Sequence, residues 1–251
     1  MITVKNLIKK YENTLAVDGI SFEIPDGEIC GYIGTNGAGK STTVKILIGA
    51  LDFDSGEVHV NGINVKDNPF EVKKIIGYVP ENANLFNSLT VTEFLNFIGE
   101  VYDIDKAVLR KRIDIFAEIL SFTEYLNESI GIISKGNRQK TLITSALLHN
   151  PDVIFFDEPL NGLDANAIFA FQDLVNELSQ NKKTIFYCSH LLDVIEKISD
   201  RIILLDKGKI VVNSPTSELK KGEGYSNLES LFKSLRPEEN TKKFNFSDIY
   251  G

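Results

Sequence analysis

Gly34-Thr35-Asn36-Gly37-Ala38-Gly39-Lys40-Ser41 reads G-x-x-x-x-G-K-S, the pattern of a phosphate-binding loop. The apolar run Glu28-Ile29-Cys30-Gly31-Tyr32-Ile33 precedes it and suits a short buried strand. Thr42-Thr43-Val44-Lys45-Ile46-Leu47-Ile48 follows and is compatible with a helix. That strand-loop-helix context gives the motif its chemistry. Glycines let successive amide N–H groups close around an anion, and the helix aims the positive end of its dipole at the same point. Lys40 is expected at the β- and γ-phosphates and the Ser41 hydroxyl on Mg²⁺, with Thr42 capping the first turn beside the α-phosphate.

Outward from this loop, strands alternate with helices. Upstream, residues 2–11 alternate as an exposed strand would, closing at Tyr11, and Asp18-Gly19 signals a turn before Ser21-Phe22-Glu23-Ile24 alternates again. Downstream, Gly56–Gly62 is a short strand between glycines, so an antiparallel patch is expected beside the loop. His59 within it has no partner at metal-ligand spacing and reads as a surface residue. Phe70–Lys74 suits a short helix, and Ile75–Pro80 a buried strand ending at Glu81. From Thr90 to about Asn127 the period is helical, with Thr90-Val91-Thr92-Glu93 as a capping start. Phe94, Leu95, Phe97, Ile98 and Val101 share one broad face, as do Leu109, Ile113, Phe116 and Leu120. Another helix opens near Ser134 and stops at Asn150-Pro151.

Val153-Ile154-Phe155-Phe156-Asp157-Glu158 is an apolar strand ending in two acids, and a helix follows from about Ala165 to Gln180. Thr184–Cys188 is a further buried strand ending at Ser189-His190, with a short helix to about Ile198. Arg201–Leu205 and Lys209–Val212 read as a hairpin through Lys207-Gly208. A short helix is expected at 228–235, and disorder beyond Pro237 from charge and Asn content. Near-continuously apolar strands between helices argue an α/β domain with a largely parallel sheet, an antiparallel β patch and an inserted helical subdomain.

Bulk composition narrows the function classes. A formal net charge of −8, with no dense basic patch, argues against a nucleic-acid partner. No run approaches the length of a membrane span, and Met1-Ile2-Thr3-Val4-Lys5 does not open a signal peptide. Two cysteines, Cys30 and Cys188, lie in apolar strands without metal spacing, as expected of core thiols in a reduced, cytoplasmic protein.

A strand buried on both faces delivers Asp157 and Glu158 to the carboxyl edge of the sheet, where ligands sit in such folds. Asp157 suits Mg²⁺ binding and Glu158 the polarisation of an attacking water. Over residues 1 to about 220, the order and spacing of motifs resembles the ATPase subunit of an ATP-binding cassette (ABC) transporter, a P-loop NTPase. Tyr11 resembles the aromatic that stacks on adenine. Residues 34–42 resemble Walker A, Glu81 occupies the Q-loop position, and Ile133–Asn137 resembles the family signature. Residues 153–158 resemble Walker B with its catalytic glutamate, Asn161–Asp164 the D-loop, and His190 the switch histidine. Two departures stand out. A glutamate, Glu81, replaces the usual glutamine, and could still offer an oxygen to Mg²⁺. The signature reads I-S-K-G-N where the consensus is L-S-G-G-Q, and the S-K-G form resembles subunits of ABC-2-type and antibiotic-resistance exporters.

The resemblance implies an ATP-binding core over 1–82 and 136–220, a helical subdomain over 83–135 ending at the signature, and a tail over 221–251. It also implies a dimer with two Mg-ATP at the interface, each between Walker A of one chain and Ser134, Lys135, Gly136 and Asn137 of the other. The second subunit could be identical or a different cassette. A separate polytopic membrane permease would hold the chain at the cytoplasmic face of the membrane. Export is the expected direction, with permease contacts near Leu85-Phe86 and Leu89. The alternatives are a soluble ABC ATPase, cluster assembly being compatible with the length, and a nucleotide sensor without turnover. Translation-type members usually carry two cassettes, and DNA-maintenance members a longer insertion than 83–132. Intact Lys40, Asp157, Glu158 and His190 argue against the sensor, while Glu81 leaves it some room.

Overall fold

A computed structural model describes residues 1–82, 85–222 and 224–234; the disorder expected beyond Pro237 lies outside the described residues. In chain order, β1 (Ile2–Tyr11) and β2 (Thr14–Ile24) form a hairpin, and β3 (Ile29–Gly34) runs into the glycine-rich loop and α1 (Lys40–Leu47). β4 (Ser55–Val60), β5 (Ile63–Asn64), α2 (Pro69–Ile75) and β6 (Ile76–Val79) lead to α3 (Val91–Val101) and α4 (Lys106–Ile119). Next come α5 (Lys135–Leu147), β7 (Val153–Asp157), α6 (Ala165–Gln180), β8 (Thr184–Cys188) and α7 (Leu192–Ile198). The hairpin β9 (Arg201–Asp206) and β10 (Lys209–Pro215) precedes α8 (Thr216–Leu219) and α9 (Leu228–Ser234).

β2-β1-β4-β5 form an antiparallel sheet, and β10-β9-β3-β8-β7-β6 a second one that is parallel except at β10. The parallel strands are apolar except at their ends because both faces are covered. Ile29, Ile33, Ile154, Phe156, Ile185 and Tyr187 face a core shared with the helices. Cys30, Tyr32, Val153, Phe155, Phe186 and Cys188 face a second core, under the antiparallel sheet and α1. The Tyr32 and Phe186 rings lie 4.7 Å apart in the second core; Phe156 and Phe171 meet edge to face at 5.0 Å in the first. Both cysteines are free and buried, as expected.

Several local expectations need correction. β1 is not an exposed strand: it is paired on both sides, and Ile2, Val4 and Leu7 are buried. Asp18-Gly19 is not a turn. Leu7 faces Ile20 and Ile8 faces Asp18, which makes Gly19 the extra residue of a bulge, and the Asp18 amide donates to the Gly208 carbonyl. The hairpin turns instead at Glu12-Asn13. On α3 the buried stripe is Val91, Phe94, Leu95 and Gly99, whereas Phe97 and Val101 are exposed. The sequence stripe is wider than the surface available to cover it, and Phe97 meets exposed Phe86 edge to face.

The helical insertion is capped as its sequence demands. The Thr90 hydroxyl accepts from the Glu93 amide while the Glu93 carboxylate accepts from the Thr90 amide. Its apolar residues join the core of the parallel sheet, so α3 and α4 share a continuous interior with β7 and β8. The Tyr102 ring stacks on His149 at 3.8 Å, and His149 Nε2 bonds the Ile76 carbonyl, tying α3 to the start of β6. Among the described residues no helix is long and apolar enough to cross a membrane.

At Gly77, α5 passes so close to β6 that a Cβ would strike the Ala146 carbonyl and the Pro151 ring. Gly77→Ala should therefore destabilise the fold by roughly 1–3 kcal/mol. Urea unfolding checks this as a lower midpoint at unchanged slope.

Candidate nucleotide site

The register of the parallel sheet assembles the site. Tyr32 of β3 lies opposite Cys188 of β8, and Cys188 lies opposite Asp157 of β7. β8 and β7 thus end level and β3 runs two residues further, so the residues that follow emerge on one edge: the loop from Gly34, Ser189-His190 and Glu158. Here the chain stops being apolar, so polar groups gather at this edge.

The loop is held from behind. Gly39 takes φ 105° and lies against the Ala16 carbonyl of β2, with no room for a Cβ. The Gly208 amide donates to the Ala38 carbonyl. Thr43 accepts from the Tyr32 hydroxyl (3.1 Å) and donates to the Gly39 carbonyl (3.0 Å). Thr42 does not cap α1: its N-cap is Gly39, without a side-chain cap, because the loop arrives in a left-handed turn. The amides of Gly37, Lys40, Ser41 and Thr42 have no acceptor among the described residues. With no acid in the first turn of α1, these donors and the helix dipole suit an anion. Lys40 Nζ donates to the carbonyls of Gly34 (2.8 Å) and Thr35 (3.1 Å), so its charge sits inside the loop.

Asp157 is buried, and its pKa is pushed up to about 6, first by desolvation and then by the neighbouring Glu81 and Glu158 carboxylates; Lys40 and Lys45 partly oppose them. Glu158 follows at φ 52°, off the ordinary regions for a side-chain-bearing residue, with its amide on the Cys188 carbonyl (2.9 Å). Its Oε2 lies 2.9 Å from His190 Nδ1 and 2.9 Å from the Ser189 hydroxyl. Glu81 is exposed just beyond β6. Among the described residues no three His, Cys, Asp or Glu side chains converge as a metal cage. A crowded, buried carboxylate beside phosphate donors and the Ser41 hydroxyl nonetheless fits Mg²⁺, which takes one or two protein oxygens and fills its shell with phosphate and water.

Other expected site residues make no hydrogen bond or ion pair to the loop among the described residues. Tyr11 is exposed at the end of β1, under the Lys9 ammonium at 5.4 Å. Ser134 is the N-cap of α5, accepting from the Asn137 amide at 3.1 Å, and Gly136 abuts the Gly162 carbonyl. The Lys135 stem covers Gly162, where an added Cβ would lie 3.0 Å from it. Asp164 caps α6 through the Ala167 amide (2.9 Å), a bond that lowers its pKa. Among the described residues no hydrogen bond or ion pair joins Ser134–Asn137 to the 34–42 loop. Sequence reading missed Ser189, Gln139 and Thr43. Gln139 donates to the Pro159 carbonyl (3.0 Å) from a buried position, and only its placement on an otherwise apolar face of α5 could have signalled it.

A glycine-rich loop on a parallel sheet, facing acids at the end of a nearby strand, defines a P-loop NTPase, as the loop motif and alternating strands implied. Residues 17–161 match the family model described as ABC transporter, and the chain belongs to that family. It is 30% identical to the ABC transporter ATP-binding protein NatA of Bacillus subtilis strain 168, over 93% of this chain and 97% of that one. It is 33% identical to the bacitracin transport ATP-binding protein BcrA of Bacillus licheniformis, over 88% and 72%. A solved ATP-binding subunit of an ABC transporter superposes with a TM-score of 0.87 at 28% identity, covering 93% of this chain and 98% of that one. A dimeric ATP-binding cassette in a post-hydrolysis state, bound to ADP and Pi, gives 0.77 at 25% identity, over 86% and 99%. The chain is an ATP-binding subunit of an ABC transporter and an ATPase, as its motifs implied.

Burial raises the pKa of Asp157 in the folded chain, so the folded state binds the extra proton. Its ionisation therefore costs stability as pH rises from about 4 to about 6, and the full cost stands above that window. In nucleotide-free protein under chelator, Asp157→Asn should gain on the order of 2 kcal/mol at pH 7.5 and much less at pH 4.5. Thermal unfolding at the two pH values checks it.

Proposed function

We propose that this chain dimerises around two Mg-ATP and that hydrolysis drives export through separate membrane permease subunits. The observation that carries the reading is the shared edge. It joins the phosphate loop with Lys40, Asp157, and a Glu158 carboxylate held 2.9 Å from His190. In this reading residues 1–82 and 136–220 are the ATP-binding core, and 83–135 the helical subdomain.

The loop amides from Gly34 to Thr42 and Lys40 hold the phosphates. Lys40 exchanges its Gly34 and Thr35 carbonyls for β- and γ-oxygens at little cost, since both are charge-assisted bonds. Ser41 and Asp157 hold Mg²⁺, with Glu81 as a further oxygen donor beyond β6. Mg²⁺ supplies the positive charge that offsets the phosphates and the crowded acids. Glu158 takes a proton from the attacking water, and His190 steadies the carboxylate and reaches toward the γ-phosphate. Tyr11 offers an aromatic face to adenine.

The placement of the signature supports a dimer. Ser134, Lys135, Gly136 and Asn137 sit at the start of α5, where Lys135 and Gly136 pack on Gly162, with no hydrogen bond or ion pair to their own chain's loop among the described residues. A second copy or a related cassette would bring its signature to this loop, and the dimeric relative bound to ADP and Pi is consistent with that arrangement. The exposed Phe86 and Phe97, in edge contact at 6.0 Å, offer a surface for the permease, near the expected Leu85-Phe86 and Leu89. Relatives named for bacitracin transport and linearmycin resistance favour export over soluble cluster assembly.

Glu158→Gln should keep ATP binding, lose at least a hundredfold in turnover and elute as a dimer with Mg-ATP on size-exclusion chromatography. A monomer that still hydrolyses ATP at the wild-type rate would sink the reading. Lys40→Ala should weaken ATP binding by roughly tenfold or more in calorimetry, the loss of a charge-assisted contact.

A further inference from the structure

We propose that Ser189 is a positioning residue for Glu158, selecting which carboxylate oxygen acts on water. The inference rests on the reading of Glu158 as the general base. Ser189 is the first residue beyond β8 and is 2% exposed. Its hydroxyl accepts the Leu191 amide at 3.1 Å. A hydroxyl carries one proton and two lone pairs, so a lone pair committed to Leu191 helps orient the proton. That proton goes to Glu158 Oε2, 2.9 Å away. Closing the turn needs only the Leu191 bond; the second bond does separate work, on the carboxylate.

Glu158 needs such a hold. Its backbone is anchored on the Cys188 carbonyl at φ 52°, which fixes where the side chain starts but not how the carboxylate turns. His190 also reaches Oε2, at 2.9 Å, but its side chain is 69% exposed against 12% for that of Glu158, so water competes for that contact. The Ser189 bond is the one that water does not reach. Both contacts fall on Oε2, and Oε1 has no partner among the described residues. Oε1 is therefore the oxygen left to accept a proton from water, and the Ser189 bond to Oε2 keeps it free for that role. The step balances simply: the water O–H bond breaks, the proton passes to Oε1, and the hydroxide electrons form the new bond to phosphorus as the bond to the leaving oxygen breaks.

The test compares Ser189→Ala, Ser189→Thr and Ser189→Val in steady-state ATP hydrolysis, with ATP affinity measured by calorimetry and folding by thermal melting. Thr and Val have nearly the same shape and differ by the hydroxyl. Losing a hydrogen bond to a charged group should lower kcat about ten- to a hundredfold in the Ala and Val variants, with KM and ATP affinity within about twofold. Ser189→Thr should recover most of kcat. The Thr and Val pair still decides the matter if Ser189→Ala folds poorly. Equal kcat for Thr and Val, or an unchanged kcat in Ser189→Ala, would overturn the proposal. Glu158→Gln run alongside separates the two ideas. Wild-type turnover there refutes the base itself, whereas its loss there with Ser189→Ala unaffected refutes the positioning role alone.

Discussion

The level register of β3, β8 and β7 is the constraint on which everything else depends. Tyr32, Cys188 and Asp157 form one row across three adjacent strands. Because both faces of these strands are buried, no polar side chain can leave the sheet sideways without losing water. Polarity emerges where the strands end, and the shared register brings those ends to one edge, β3 running two residues past the row. Residues far apart in sequence, 34–41, 157–158 and 189–190, therefore meet without a dedicated structural device.

The edge so formed is electrostatically unbalanced. Asp157 is desolvated and pressed by Glu81 and Glu158, and Lys40 and Lys45 offset that only in part. Opposite the acids lies a loop whose Gly37, Lys40, Ser41 and Thr42 amides have no acceptor among the described residues and whose lysine is bonded to two of its own carbonyls. Excess acid on one side and free donors on the other are complementary to a phosphate chain carrying a cation. The Glu81 carboxylate deepens the imbalance and makes the proposed site more dependent on its metal.

Close backbone approaches fix the remaining geometry. Gly39 rests on Ala16, Gly77 on Ala146, and Gly136 on the Gly162 carbonyl. The last contact, with the Gln139 bond to the Pro159 carbonyl, docks the start of α5 on the loop that follows Glu158. In the proposed dimer this places one chain's signature and catalytic loop on a common rigid block, so a change at one nucleotide would be felt at the other.

Sequence alone determined the elements whose cause is local. The loop motif names its own chemistry, α6, β8 and α7 are bounded as their apolar runs and turn residues dictate, and Thr90 and Glu93 cap α3 because capping acts over four residues. It also singled out Asp157, Glu158 and His190, which the fold brings to one edge, because their place in the motif order is a linear property. Tertiary structure decided what depends on neighbours distant in sequence. Gly19 became a bulge because β1 and Gly208 pair with that strand, β1 became an inner strand, and Phe97 stayed exposed because the core ends short of it. Ser189 escaped sequence reading for the same reason. A serine after a strand has no distinctive pattern, and its role exists only because β7 and β8 end level and bring Glu158 within 2.9 Å of its hydroxyl.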